Sequence, residues 1–415
     1  MTDGTGSDQG ETRAATASGP AGGRAGPDNG DRRARVWLCR AVEPGRGSIY
    51  RFVRAAGSEA VMAKLRDAVE QDSRRRSVRL DEDRIDDDLV AATEHGFRFI
   101  IPADAEWPGP QLRPLELATA AAVAGPGERE DQLAPPLGLW VRGELPVSDA
   151  VERAVAIVGS RAATAYGEHV ASELAYGLAE RGWTVISGGA VGIDAAAHRG
   201  ALTAGGTTIA VLAGGLDVPY PRGHRGLFDR IAGSGLLLSE WPPGCASLRH
   251  RFLVRNRLIA GLAAGTVVVE AGVRSGALAT ANRANTFGRP VMVVPGPVTS
   301  AMSVGGNELI RRQEASLVTR VEEVIETVGR IGADLAPART AEPGPRDGLD
   351  PLAARVLDGV PVARPAGVEG IARVAGVAPG DVLKVLPVLE LRGLTERAAT
   401  GWRLSALARR ADRAS

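Results

Sequence analysis

Short runs of apolar residues alternate with helical patterns through the middle of the chain. The runs that predict strands are Phe97–Ile101, Leu137–Val141, Val155–Val158, Val185–Ser187, Thr208–Leu212, Leu236–Ser239, Val267–Glu270 and Val291–Val294. Continuous apolar strands that alternate with helices are typical of a parallel sheet with both faces covered. The pattern therefore predicts an α/β fold, a Rossmann-like doubly wound and mainly parallel sheet over residues 97–330. In such sheets ligands bind at the carboxyl ends of the strands.

The N-terminal part of the chain has a different pattern. Residues 1–33 are a low-complexity mixture of Gly, Ala, Asp and Arg, which predicts a disordered tail. Two helical patterns then flank the turn Pro44–Gly47, and a strongly charged stretch follows over 70–90. Residues 34–96 are therefore predicted to form a small helical domain, of the SAM or helix-hairpin-helix kind, with a charged linker.

A third pattern follows the Pro/Gly/Ala-rich stretch 331–348, which predicts a linker. Three helical patterns come next, followed by a turn and a short segment that together look like a small β-wing. These segments are Pro351–Leu357, Val368–Val374, Pro379–Leu391, Gly393–Glu396 and Gly401–Leu404. Their order predicts a small winged-helix-like domain over 349–410.

Composition narrows the choice of partners. The net charge is +1, so a nucleic-acid site must be a local patch and not a global field. Cys39 and Cys245 lie far apart and give neither metal-ligand spacing nor a disulfide framework. The sequence contains no run of the roughly 18 apolar residues that a membrane helix needs. We expect a cytoplasmic protein without a membrane segment, a metal or a cofactor.

Three loops that follow predicted strands present glycine, serine or arginine just before a helix. They are Gly159-Ser160-Arg161, Ser187-Gly188-Gly189 and Ser275-Gly276, the last with Ser275 as the expected helix N-cap. A strand–glycine–helix passage offers free N–H groups and the positive end of a helix dipole to an anion. Arginine adds a planar, permanently charged group that suits phosphate oxygens.

Two neighbouring features allow two interpretations each. Asp194 and His198 are four residues apart on one helix, so they form either a catalytic pair or a hydrogen bond that braces the loop. Tyr220 lies between two prolines and either stacks on a base or packs against the protein. Arg222 follows it in the cationic tip of the loop.

The strongest concentration of basic residues begins at Arg249. Arg249, His250, Arg251, Arg255 and Arg257 surround Asn256 at the start of an apolar helix. Phe252, Leu253 and Val254 interrupt the run, so some of these arginines must point the other way. We predict that Arg255, Asn256 and Arg257 belong to the nucleic-acid site.

Several such loops at one sheet edge suit a multiply charged chain better than a single nucleotide. The sequence has no G-x-x-x-x-G-K-[ST] loop, and its first turn reads G-S-R in place of the G-x-G-x-x-G of dinucleotide sites. It also shows no carboxylate cluster for a two-metal nuclease. The loops therefore predict a site for a chain of phosphates.

The order of the motifs resembles one known family. AIVGSR, SGGAVGIDAAAH, AVLAGGLD, LLLSEWPPG, RNRLIAGLA, VVVEAGVRSGALATA and VPGPVTSAMSVGGNELI resemble the DNA-processing protein A (DprA/Smf) family over roughly 97–330. The resemblance implies a cytoplasmic homodimer, not an enzyme, that protects incoming single-stranded DNA in natural transformation and helps to load the RecA recombinase. It also implies DNA contacts at Gly159, Ser160, Arg161, Ser187–Gly189, Asn256, Ser275 and Gly276.

The chain departs from the family pattern at three places. Val191 stands where an arginine is usual, and Trp241 stands where phenylalanine is frequent. The segment Cys245–His250 also differs from the usual proline-rich form. The loss at Val191 either weakens DNA binding or is offset by Arg249 and Arg251.

Two other functions compete with this one. Nucleoside-monophosphate phosphoribohydrolases share the layout, but they need a glutamate where this chain has Ala279 and Thr280. The second alternative is a structural adaptor that acts through the winged-helix-like domain. The helix Pro379–Leu391 is mostly apolar with Lys384 as its basic residue, which favours protein contact or weak DNA contact.

Overall fold

The chain folds into two units, Met1–Ala336 and Pro337–Ser415. The computed structural model describes residues 1, 28–71, 84–122, 132–330, 334–337 and 348–411. Most of the predicted linker 331–348 and residues 2–27 of the predicted tail lie outside the described residues.

The first unit is built on a nine-stranded sheet in the described part of the chain, with strand order β1-β2-β6-β5-β4-β3-β7-β8-β9. Its strands are β1 Phe97–Ile100, β2 Leu139–Arg142, β3 Ala154–Gly159, β4 Thr184–Ser187, β5 Thr208–Val211, β6 Leu236–Ser239, β7 Gly265–Val269, β8 Val291–Val294 and β9 Ser316–Leu317. At one edge β2 pairs antiparallel with both β1 and β6, and the other pairings of this sheet are parallel. The predicted mainly parallel sheet is confirmed. The pattern missed β9, which has two exposed residues and no apolar run.

Helices cover the sheet and form the second unit. They are α1 Asp28–Ala41, α2 Gly47–Ala56, α3 Ser58–Gln71, α4 Ile85–Glu94, α5 Gly109–Ala122, α6 Val147–Ala150, α7 Ala165–Glu180, α8 Ile193–Thr203, α9 Arg225–Ser234, α10 Arg249–Leu262, α11 Gly276–Thr286, α12 Val304–Arg311, α13 Val321–Val328, α14 Pro351–Gly359, α15 Val368–Ala375, α16 Pro379–Leu391 and α17 Ala406–Ala411. A 3-10 turn, Arg222–His224, precedes α9.

Separate apolar cores lie on the two faces of the sheet. Val268 and Leu258 are fully buried with α10 and α11 on one face. Val155 and Leu174 belong to the core that α7 and α8 form on the other face. The strands are apolar on both sides because both sides face a core, which is why their sequences form continuous runs.

The N-terminal helices share a core with the sheet. Leu38 of α1 packs in one apolar cluster with Trp140 of β2 and Phe228 of α9. The predicted boundary at residue 97 is therefore not a boundary between compact units. The predicted tail 1–33 is wrong for its last residues, since α1 begins at Asp28. Arg32 there pairs with Asp104 at 2.6 Å, and no local pattern reveals such a distant partner.

The connection order creates a crevice in the middle of the sheet. From β3 the chain adds β4, β5 and β6 in turn on one side, and β7 then returns to pair with β3 on the other side. The loops after β3 and β7 leave the sheet in opposite directions at this point. This topological switch point is where doubly wound sheets bind ligands.

In the described part of the second unit, helices α14 to α16 precede an antiparallel hairpin of β10 Thr395–Ala398 and β11 Gly401–Leu404, and α17 follows it. Val356, Ile371 and Leu386 anchor its own apolar core. The three helices match the predicted helical patterns, whereas β10 begins within the predicted turn Gly393–Glu396. The assignment as a winged helix stays a prediction.

Candidate nucleic-acid interface

A cleft of about 960 Å³ opens at the switch point, between the loops that follow β3 and β7. The N-terminal half of α10 forms its third side. Its lining includes Gly159, Ser160, Arg161, Asp194, Tyr220, Arg249, Phe252, Arg255, Asn256, Arg274, Ser275, Gly276, Thr280 and Met302. Helix starts, arginines and an aromatic ring therefore surround one open space.

The loop after β3 supplies the first wall. At Gly159 a Cβ atom would lie 1.9 Å from the carbonyl oxygen of Val269, so this glycine allows the two central strands to approach. The Ser160 hydroxyl oxygen accepts a hydrogen bond from the Ala162 N–H at 3.1 Å. Arg161 is exposed, and its guanidinium carbon lies 5.0 Å from the centre of the Phe252 ring.

The loop after β7 supplies the opposite wall. Ser275 caps α11, as predicted, because its side chain accepts a hydrogen bond from the Ala277 N–H at 3.3 Å. Gly276 is exposed, and a Cβ atom there would meet nothing within 4 Å. Arg274 stands exposed on the rim. A phosphate group therefore has free access to the start of this helix.

Helix α10 places an aromatic ring between the walls. The half-buried Phe252 ring has Arg161 over it and contacts Tyr220 edge-on at 5.7 Å between ring centres. Tyr220 is 52% exposed and lines the cleft, so it both packs on protein and remains open to a ligand. The Asn256 side chain donates to the Gly276 carbonyl at 3.4 Å and ties α10 to the second wall.

The predicted basic run at the start of α10 does not form a continuous positive patch. Arg251, Arg255 and Arg257 are buried, with exposures of 1%, 4% and 0%. Arg251 pairs with Glu43 at 2.7 Å, and Arg257 pairs with the buried Glu240 at 2.5 Å. Arg251 and Arg255 are four residues apart and share a face of α10, while Arg251 and Arg257 meet carboxylates that are distant in sequence.

Arg255 lines the floor of the cleft, but its guanidinium is hydrogen-bonded within the protein. Its guanidinium donates to the backbone carbonyls of Gly188 and Val211. Burial lowers the pKa of Arg255 to about 10, an effect that the nearby Asp194 opposes. Burial also raises the pKa of Asp194, while Arg255 acts in the other direction.

The space beside the loop after β4 is occupied by the protein's own side chains. The buried Ser187 hydroxyl donates to the Ile157 carbonyl at 2.6 Å, and a Cβ atom on Gly188 would lie 2.5 Å from Arg255 Nη1. Ser187, Gly188 and Gly189 do not line the cleft, whereas Ala190 of the same passage does. Gly188 thus makes room for an arginine, where the sequence predicted room for a phosphate.

The predicted site residues divide into those that line the cleft and those that do not. Gly159, Ser160, Arg161, Arg255, Asn256, Ser275 and Gly276 come together at the cleft. Arg257 lies in the core, and Arg222 is exposed beyond Tyr220, outside the cleft lining.

Asp194 and His198 are not a catalytic pair. His198 is fully buried and its Nδ1 lies 2.8 Å from the Thr208 hydroxyl. Burial lowers the pKa of His198 to about 3, so its ring is neutral at physiological pH. Asp194 accepts from the Ala190 N–H at 3.3 Å, so it braces the loop without the histidine.

The prediction left out Arg274, Phe252 and Met302, which all line the cleft together with Arg249 of the predicted basic run. Arg274 carried a signal, because it lies in a loop directly after a predicted strand. Phe252 carried none, since an aromatic residue within an apolar helix predicts core packing. Among the described residues, Arg161, Arg249 and Arg274 make no ion pair, which leaves their charges available to a ligand.

Comparison with known proteins agrees with the family resemblance of the sequence motifs. The family model for DNA recombination-mediator protein A matches residues 119–329. A DNA processing protein DprA relative from Mycobacterium tuberculosis is 45% identical over 386 residues, which cover 90% of this chain and 95% of the relative. The chain belongs to the DprA/Smf family.

Two other members of the DprA/Smf family extend the comparison. Protein Smf of Escherichia coli is 41% identical over 230 residues, covering 55% of this chain and 56% of that protein. The X-ray structure of DprA from Streptococcus pneumoniae superposes with a TM-score of 0.56 at 28% identity, covering 73% of this chain and 99% of that one. The likeness therefore includes both sequence and fold and places this chain among DNA-processing proteins.

One departure from the DprA/Smf pattern has a structural explanation. The Trp241 indole N–H donates to Glu43 at 3.3 Å, a bond that phenylalanine cannot make. Arg251 lies over the same ring and pairs with the same carboxylate. Val191, where the family usually has arginine, is 46% exposed.

None of the helices in the described part of the chain is long and apolar enough to cross a membrane. No group of three or more His, Cys, Asp or Glu side chains among the described residues is placed to hold a metal ion.

Proposed function

We propose that the cleft binds single-stranded DNA, with phosphates on its rim and a base against Phe252. The observation that carries this proposal is the group of three exposed arginines, Arg161, Arg249 and Arg274, around one aromatic ring. Stacking on a ring needs a base that is free of its own stack, which a single strand supplies and a duplex does not. The helix start at Gly276 adds an uncharged anion site to the same rim.

Arg222 extends the proposed path past Tyr220. It is exposed and follows Tyr220 by two residues, so it is placed for phosphates beyond the cleft. Ser187, Gly188, Gly189 and Arg257 support the site from within and do not contact DNA in this proposal.

The test compares the binding of labelled single-stranded and duplex oligonucleotides by fluorescence anisotropy over a range of salt concentrations. The single strand is expected to bind more tightly, with a log–log salt slope of about −2 if three arginines each release a counterion. Arg161→Ala is expected to weaken binding about tenfold. Arg181→Ala is the matched control, because Arg181 pairs with Glu322 at the far end of α7.

Binding that is independent of salt, or an Arg161→Ala protein that binds like the wild type, contradicts the proposal. Duplex binding by the isolated residues 349–410 at the affinity of the whole chain also contradicts it, and favours the adaptor function of the winged-helix-like unit.

The biological role proposed for this binding follows the family. The protein acts as a cytoplasmic homodimer that protects single strands in natural transformation or recombination and loads the RecA recombinase onto them. Light scattering tests the dimer, and RecA filament assembly on strands already covered by this protein tests the loading. A monomer, or filament assembly that the protein slows, argues against this role.

We propose that the cleft binds single-stranded DNA and does not catalyse a reaction. Asp194 is the one carboxylate among the described residues that line the cleft, and it is held by Arg255 and the Ala190 N–H. Thr280 lines the cleft where a phosphoribohydrolase needs an acid. Release of free base from a nucleotide, above a heat-inactivated control, would restore the enzymatic alternative.

A further inference from the structure

Glu270, the residue directly after β7, has an unusual backbone. Its φ angle is 55°, in the left-handed region that L side chains rarely adopt. Among the described residues, Gln313 with φ 59° is the one other non-glycine residue with positive φ. Glycine adopts this conformation without strain, so a side chain here suggests that the side chain itself has a role.

That side chain is buried and holds the loop that carries Arg161. Glu270 is 6% exposed, and its carboxylate accepts hydrogen bonds from the Thr164 N–H at 2.8 Å and the Thr164 hydroxyl at 2.5 Å. Its backbone carbonyl accepts from the Ser160 N–H at 2.8 Å. One residue therefore fixes both ends of the short segment Ser160–Thr164.

The neighbouring helix is shaped to receive this carboxylate. Thr164 is the N-cap of α7, so the negative charge lies at the positive end of the helix dipole. A Cβ atom on Gly167, in the first turn of α7, would lie 2.3 Å from Glu270 Oε2. Glycine at this position lets the helix start approach the carboxylate.

A carboxylate is a poor ligand for a phosphate chain, and Glu270 does not line the cleft. Its contacts instead connect the two walls, because it directly follows the strand that leads to one wall and bonds to the loop that forms the other. The charge that faces the cleft from this loop is that of Arg161.

We infer that Glu270 is a positioning residue for single-stranded DNA binding, which acts by holding Arg161 at the cleft. This inference rests on the proposed function of the cleft. Without the carboxylate, Ser160–Thr164 keeps one backbone bond to β7 and loses the two bonds at Thr164. Arg161 then samples positions from which it does not reach a phosphate.

The experiment measures single-strand affinity and thermal stability for a set of variants of the full chain. Glu270→Gly relieves the backbone strain and removes the carboxylate, and it is expected to weaken binding about tenfold, which corresponds to about 1.4 kcal/mol. Glu270→Asn tolerates the same backbone, but its shorter side chain does not reach Thr164, so it is expected to behave alike. Both are expected to unfold within a few degrees of the wild type.

Two further variants separate positioning from a general effect on the fold. Glu270→Gln is expected to bind within about threefold of the wild type, since its amide oxygen accepts from the Thr164 N–H and its amide N–H donates to the hydroxyl. Gln313→Gly relieves the same kind of strain away from the cleft and is expected to leave binding unchanged.

A double-variant cycle tests the route through Arg161. In an Arg161→Ala background, Glu270→Gly is expected to change affinity less than about twofold, because the group that it positions is absent. A tenfold loss in both backgrounds overturns the inference, as does a Glu270→Gly protein that binds like the wild type. If the wild type binds no single-stranded DNA, the proposed function fails and the inference fails with it. If Arg161→Ala weakens binding and Glu270→Gly does not, the inference alone fails.

Discussion

Two strand–glycine–helix passages lie on adjacent strands of this sheet, Gly159–Arg161 after β3 and Ser187–Gly189 after β4. Both offer small residues before a helix start, and both predict an anion site. The passage after β3 opens on the cleft and carries an exposed arginine. The passage after β4 is closed, because the buried Arg255 donates to the Gly188 carbonyl.

The difference comes from residues that are remote in sequence. The space beside Gly188 is taken by a guanidinium from α10, whereas nothing lies within 4 Å of the Cβ position of Gly276 across the cleft. The arginines differ in the same manner, since Arg161 faces solvent and Arg257 faces Glu240. Glycine and arginine thus support the fold at Gly188 and Arg257, and they border an open site at Gly276 and Arg161.

The largest expected effect is at the buried ion pair. Arg257→Ala leaves the Glu240 carboxylate, 2% exposed, without its partner, and the free energy of unfolding is expected to fall by about 3–5 kcal/mol. Urea denaturation measures this loss. The double variant Arg257→Leu with Glu240→Leu buries neither charge and is expected to recover much of it. If the single variant is as stable as the double variant, Arg257 does not have the structural role assigned here.

Substitutions at Gly188 and Gly276 test the difference between the closed passage after β4 and the open cleft. Gly188→Ala forces a methyl group to within 2.5 Å of the hydrogen-bonded Arg255 guanidinium, and a loss of about 1–3 kcal/mol in unfolding free energy is expected. Gly276→Ala meets open space at a helix start, so its stability is expected to match the wild type while its single-strand affinity falls. If the two variants are equally stable, the passage after β4 has space for a methyl group beside Arg255.

The smallest expected effect is at the rim of the cleft. Arg274→Ala is expected to reduce single-strand affinity by about threefold to tenfold and to lower the salt slope by about 0.7, since one phosphate contact is lost. The melting temperature is expected to stay unchanged, because Arg274 is exposed and makes no ion pair among the described residues. An unchanged salt slope, matched by the Arg181→Ala control, would remove Arg274 from the proposed interface.

Local patterns predicted the sheet well and the site in part. The runs at Leu236–Ser239 and Val291–Val294 coincide with β6 and β8, because a strand buried on both faces must be apolar throughout. Ser275 was predicted as a cap because capping depends on neighbouring residues alone. The helix start at Asp28 was missed because its polar residues are stabilised by distant partners such as Asp104.

The sequence by itself determined the alternation of strands and helices, the mainly parallel sheet and the edge where its loops gather, since these follow from periodicity and from the few ways in which strands connect. The order of its motifs also determined the family. Only the tertiary structure decided which glycine borders a cleft and which arginine faces solvent. A residue type sets what a side chain can do, but whether water or a distant carboxylate reaches it depends on how the elements pack.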